Sequence, residues 1–120
     1  MKKLSVIAIA LFIAGGAMGQ TKISLEEVKQ HIGDSVAVCG KVFGGRFLES
    51  SNGTPTLINI GGAYPSELLT IVIFGDNRAR FKDKPEESWK DKTICIKGKI
   101  SEFRGKPQIV ISDPAQVELP

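Results

Sequence analysis

Between Asp91 and Asp113 the chain reads DKTICIKGKISEFRGKPQIVISD: Ile94, Ile96 and Ile100 alternate with Cys95, Lys97 and Lys99, and Gly98 takes the apolar register. A period of two is what a strand shows when one face lies on a core and the other in water. Ser101 to Lys106, with Gly105 ahead of Pro107, reads as a turn; Gln108 to Ser112 then resumes the extended pattern until Asp113-Pro114 ends it. The pair is expected to form a hairpin with a basic tip, Arg104 and Lys106. Asp34 to Val42 follows the same rule, with Val36, Val38 and Val42 alternating with Ala37, Cys39 and Lys41, and Gly40 in the apolar register. A glycine inside a strand marks a bend or bulge, which a small closed barrel needs where a long strand turns from one side of the wall to the other.

Ahead of the first strand, Ser24 and Glu27 make a capping-box pattern. Leu25, Val28 and Ile32 recur at helical spacing and Gly33 stands at the C-cap, so a short amphipathic helix is expected. His31, the only histidine, falls at that helix end, where a favourable surface charge explains it better than catalysis. The strand from Ser35 to Phe43 runs into Gly44-Gly45, and Phe47-Leu48 extends it beyond a kink. Thr54 to Ile60 and the nearly all-apolar Leu68 to Phe74 complete a three-stranded meander around a Gly61 to Pro65 loop. After it, Asp76-Asn77 caps a helical turn through Phe81, Lys82 to Glu87 breaks that turn, and Phe81 and Trp89 are expected to plug one end of the barrel. Pro114 to Pro120 reads as a tail.

The first 19 residues alter the charge argument. Met1-Lys-Lys is a positive start, Leu4 to Ile13 an apolar run, and Ala17-Met18-Gly19 a small-x-small cleavage site, the tripartite pattern of a secretory signal. The alternative, a membrane anchor, is disfavoured because the apolar run falls short of the ~20 residues a spanning helix needs. The expected organisation is a signal peptide over 1–19 and one domain over 20–120, periplasmic or secreted, with no membrane contact after cleavage. Net charge is +3 for the whole chain, but without Lys2 and Lys3 there are 14 basic residues against 13 acidic. Only a local patch would attract a polyanion. Lys97, Lys99, Arg104 and Lys106 around the last hairpin are such a patch, or else a strand face kept polar against aggregation.

Export gives the two cysteines a meaning, since disulfides persist in oxidising compartments. Cys39 and Cys95 both fall on the outward register of their strands, so antiparallel pairing would bring the thiols face to face, whereas a one-residue slip would separate them. A bridge would close a long loop and contribute roughly 4 kcal/mol on the chain-entropy account. Two cysteines with one histidine make no zinc site, and no metal or cofactor is expected.

Five strands in the order three, helical connection, two, behind a small helix, match the OB-fold, a five-stranded Greek-key barrel. The stretches Asp34-Ser-Val-Ala-Val-Cys-Gly-Lys-Val, Thr56-Leu-Ile-Asn-Ile-Gly, Val72-Ile-Phe-Gly, Ile96-Lys-Gly-Lys-Ile and Gly105-Lys-Pro-Gln-Ile resemble the bacterial OB-fold nucleic-acid-binding domains, and the likeness runs from about Ile23 to Val117. The resemblance implies a ligand lying across the second and third strands, flanked by the first and last interstrand loops. Carried onto this chain, the face offers Leu57, Asn59, Thr70, Val72 and Phe74, with Arg46 from the first loop and Phe103, Arg104 and Lys106 from the last. Single-strand binding needs a basic groove and aromatic platforms. Phe74, Phe103 and Tyr64 are the candidate platforms, with core packing the alternative for Phe74 and Phe43.

The expected function is a non-catalytic binding module for single-stranded DNA or RNA, or another oligomeric ligand, outside the cytoplasm, beside a partner such as a secreted nuclease. The alternative is a periplasmic protein-interaction or envelope-stress module using the same barrel face. Catalysis is disfavoured: one histidine, no nucleophile motif and carboxylates spread over turns supply no convergent acid-base set. Glu86-Glu87 reads as a solvated loop end. Gly44-Gly45 and Gly61-Gly62 lack the strand-to-helix setting of a phosphate loop.

Overall fold

A computed structural model of the protein describes residues 21–119; the expected signal sequence lies outside the described residues. The chain runs through β1 (Thr21–Ile23), a 3₁₀ helix (Leu25–His31), β2 (Ser35–Phe47), β3 (Thr56–Ile60), β4 (Leu69–Ile73), α1 (Gly75–Arg78), α2 (Pro85–Ser88), β5 (Thr93–Phe103), β6 (Lys106–Val110), a second 3₁₀ turn (Pro114–Gln116) and β7 (Val117–Glu118). Among these, no helix is long and apolar enough to cross a membrane.

Five strands form a ring. β2, β3 and β4 are the expected antiparallel meander, β4 pairs parallel with β6, β6 pairs with β5 as the expected hairpin, and β5 returns to β2. The two long strands each serve two partners: residues 35–41 of β2 pair with 93–99 of β5, after which β2 turns to β3 and β5 turns to β6. The inward glycines sit at these turns. A Cβ on Gly40 would stand 2.5 Å from Ile60 Cγ2, and one on Gly98 would stand 2.6 Å from Ile109 Cγ2. A side chain at either position would run into a core isoleucine methyl, so the bends are occupied by glycine. A register shift between Val42 and Gly44 adds the expected bulge.

The interior is aliphatic: the inward Val36, Val38, Ile58, Ile60, Ile71, Ile96 and their neighbours are buried, each contributing on the order of 1.5–3 kcal/mol. Phe81 and Trp89, expected as plugs, are buried with this core, edge to face with centroids 6.1 Å apart.

Several expectations are corrected. The N-terminal helix is 3₁₀ rather than α, so its repeat of three aligns Leu25, Val28 and His31 and turns Ile32 outward. Both the N–H and the hydroxyl of Ser24 donate to Glu27 Oε1, which with the His31 charge holds that carboxyl below its usual range despite slight desolvation. β3 begins at Thr56 because Thr54 takes φ +40°, which no strand residue adopts. Leu68 and Phe74 flank β4 rather than belong to it. Helix α1 starts at Gly75, and Pro85 opens α2 rather than breaking a helix, since a first-turn residue has no partner for an N–H. The edge strands β1 and β7, three and two residues long, are too short to show a period.

Candidate ligand-binding face

Alternation along β3, β4, β6 and β5 sends every second side chain to the outside of the ring, and the registers align them in rows. One row is polar: Asn59 opposes Thr70, Thr70 opposes Gln108, and Gln108 opposes Ser101. Gln108 Nε2 donates to Ser101 Oγ at 3.4 Å. The next row is Arg46, Leu57, Val72 and Val110, of which Val72, expected on the face, is buried and offers no contact surface. Arg46 is exposed, because beyond the bulge β2 points Gly44 and Arg46 outward and Gly45 and Phe47 toward the interior.

Aromatic rings flank these rows on both sides, about 20 Å apart along the strands. Phe74, at the end of β4, is 41 % exposed and lies over Gly53 of the β2–β3 loop. Phe43 is equally exposed, so core packing accounts for neither ring. At the other end are Tyr64, 70 % exposed, and Phe103, 58 % exposed. The β5–β6 turn is tighter than its sequence suggested. Phe103 pairs with Lys106, and Arg104 (φ +53°) and Gly105 (φ +80°) alone make the corner, the left-handed pair of a two-residue hairpin loop. The Arg104 guanidinium lies 5.1 Å from the centre of the Phe103 ring.

Lys106 is not a free cation. Its Nζ donates to the Pro65 carbonyl at 2.7 Å and to Glu67 Oε2 at 3.1 Å, and stands 5.7 Å from the centre of the Tyr64 ring. The Glu67 side chain is only 5 % exposed. Thr70 Oγ1 donates to the same Oε2 at 3.4 Å, and Oε1 is buried with no partner among the described residues. Nor do the four hairpin cations form one patch. Lys97 and Lys99 lie on the half of β5 that pairs with β2, about 20 Å along the strand from Arg104.

Beside Arg46, a cleft of about 510 Å³ is lined by Phe47, Glu49, Arg78, Lys84, Glu86 and Glu87. Its centre is an ion pair the sequence reading missed. Arg78 donates to both Glu86 oxygens, at 3.0 and 2.9 Å, and also to Thr56 Oγ1, with its guanidinium 3.8 Å from the centre of the Phe47 ring. Glu86, read as a solvated loop end, has a side chain only 9 % exposed. Burial pushes its carboxyl up, but hydrogen bonds from Arg78 and its own backbone, with the Arg78 and Lys84 charges, outweigh this and hold it below the usual carboxylate range. The Glu86 hydrogen bond in turn raises Arg78 against its own desolvation. Three cations against three carboxylates leave the cleft without the excess charge an anion site needs.

On the seam between β2 and β5, Cys39 opposes Cys95 and the two are bonded, closing a separation of 56 residues. The expected register holds and no cysteine among the described residues is free. The bridge fits an oxidising compartment.

Of the residues expected at the site, the fold brings Asn59 and Arg46 onto adjacent rows, places Tyr64, Phe103, Arg104 and Lys106 together at one end, and Phe74 at the other. Gln108, Ser101 and Glu67 were missed. The alternation of Lys106, Gln108 and Val110 with buried Pro107 and Ile109 carried a signal for Gln108, but nothing local marked Glu67. No family model matches the chain, and no curated protein matches it. Among solved structures, yeast Stn1 and Ten1 gives a TM-score of 0.59 at 12 % identity, over 85 % of this chain and 63 % of that one. A chain described as an aspartyl-tRNA synthetase from Leishmania major gives 0.51 at 9 % identity, over 93 % of this chain and 23 % of that one. This chain thus spans under two thirds of either, and at such identities the likeness is one of fold: an OB-like domain.

Proposed function

We propose that the protein is a non-catalytic OB-fold barrel that binds single-stranded nucleic acid outside the cytoplasm, across the outer face of β3, β4, β6 and β5. The observation that carries this reading is the polar row Asn59, Thr70, Gln108 and Ser101 bracketed by the exposed rings of Tyr64, Phe103 and Phe74. Amides and hydroxyls meet base edges, rings stack on base faces at ~1–3 kcal/mol per base, and about 20 Å accommodates on the order of four nucleotides. Arg104 supports it too. A left-handed corner suits glycine or asparagine, and an arginine held there is backbone strain of the kind found at ligand contacts. The disulfide supports the extracytoplasmic setting.

With Lys106 neutralised by Glu67, the free cations of the face are Arg46 and Arg104, so salt dependence is shallow: a log–log slope of about −1.4 for two phosphate contacts on a single strand. Fluorescence anisotropy of labelled single-stranded DNA, RNA and duplex at two salt concentrations tests this. Binding of single strands but not duplex, weakened in Arg46→Glu and Arg104→Glu, is expected. No binding even at low salt would remove nucleic acid and leave the face to a protein ligand.

A further inference from the structure

A lysine at the end of an exposed strand ordinarily keeps its ammonium in water. Lys106 instead crosses to the β3–β4 loop, 39 to 41 residues away in sequence, and places its ammonium between a carbonyl, a carboxylate and a ring face. The loop has few other anchors. Its ends are tied by Gly61 N–H to the Lys41 carbonyl and Leu68 N–H to the Ile60 carbonyl, and Ser66 N–H closes a turn onto the Ala63 carbonyl. Among the described residues, the hydrogen bonds that tie residues 62–67 to any strand beyond β4 all come from Lys106. Glu67 needs this contact as well, because a carboxylate withdrawn from water is costly unless a cation and hydrogen bonds meet it.

We infer that Lys106 is a positioning residue of the binding face and not one of its ligand cations. With Glu67 it latches the β3–β4 loop so that Tyr64 stands beside the polar row as a stacking platform. This rests on the binding reading given above for the role of the platform, but the latch itself does not. Two features join it to the row. Thr70, the second member of the row, turns its hydroxyl to the same Glu67 oxygen. The ammonium also lies close enough to the Tyr64 ring to favour one ring orientation. A charge already matched by Glu67 adds nothing to phosphate attraction, so the geometric role and the electrostatic one predict opposite results for the same substitution.

Tyr64 is the only tyrosine, so protein labelled with 3-fluorotyrosine gives a single ¹⁹F resonance that reports the loop. This resonance, oligo(dT) affinity and salt slope are to be measured for the wild type, Lys106→Met, Lys106→Arg and Glu67→Gln, the last nearly isosteric and so least apt to disturb folding. A latch moves or broadens the resonance in Lys106→Met and Glu67→Gln. It also weakens oligo(dT) binding in both by on the order of tenfold, the loss of one stacking contact, with the slope unchanged and with partial recovery in Lys106→Arg. If Lys106 were instead a phosphate contact, Glu67→Gln would free it and tighten binding, and Lys106→Met would lower the slope by about 0.7. That result overturns the inference. So does an unchanged resonance in both variants, which decides the matter even if the wild type binds no oligonucleotide.

Discussion

Two ion pairs pin connections to the wall of the ring, and they are closed to different degrees. Arg78 and Glu86 join the two short helices of the β4–β5 connection. Both carboxylate oxygens are met, the guanidinium also reaches Thr56, and its flat face lies on Phe47. Lys106 and Glu67 join the β3–β4 loop to the last hairpin through a single ammonium, with one carboxylate oxygen left without a partner. A planar fork satisfies a carboxylate completely, whereas a point charge meets it from one side. The first pair therefore behaves as structure. The second holds a loop whose Tyr64 side chain faces water on the edge of the proposed binding face.

The covalent seam sets the scale for breaking this contrast. Reduction of Cys39–Cys95 should lower unfolding stability by about 4 kcal/mol, measured by urea titration with and without reductant. Arg78→Met should come next, at roughly 2–4 kcal/mol, because it strands Glu86 and Thr56 together. A double-mutant cycle with Glu86→Gln should show strong coupling, and a negligible coupling would mean that the pair is not a clamp. Lys106→Met should cost less, about 1–2 kcal/mol in the same titration: it strands the Glu67 carboxylate, but the Lys106 side chain is half-exposed and the pair is screened by solvent. A loss as large as that of Arg78→Met would erase the distinction. The smallest effect is a gain: Arg104→Gly relieves the left-handed corner and should stabilise by about 0.5 kcal/mol, while weakening any anionic ligand.

Acid sharpens the same comparison. The Glu86 carboxyl sits below its ordinary range in the folded protein, so its contribution is complete above that range and is lost as pH falls through the folded value, with Arg78 charged throughout. Between about pH 5 and 3 the wild type should lose stability more steeply than Glu86→Gln. Glu27, depressed mainly by its hydrogen bonds to Ser24, leaves a residual slope of the same sign in both.

The strands were readable because burial on one face imposes a period of two, and the same period put Cys39 and Cys95 on one outward register. Phe103, Arg104 and Lys106 could be named together because one hairpin turn carries them, whereas only the fold brings the Tyr64 loop to the same end of the ring. Less could be read between Gly75 and Asp91. There Pro85 has opposite meanings at the start and in the middle of a helix, and Glu86 looks like any surface glutamate until Arg78 comes within reach. The helical spacing of Leu25, Val28 and Ile32 could not distinguish a repeat of 3.6 from one of three over seven residues.

The sequence alone determined the aliphatic inner face, the bends at Gly40 and Gly98 and the outward register of the cysteines, all properties of neighbours along a strand. Tertiary structure decided which charges remain available. Lys106 and Glu67 are 39 residues apart and Arg78 and Thr56 are 22 apart, and no local pattern carries that information. Whether a charged side chain meets solvent, a ligand or another side chain depends on which segments the closed ring brings together.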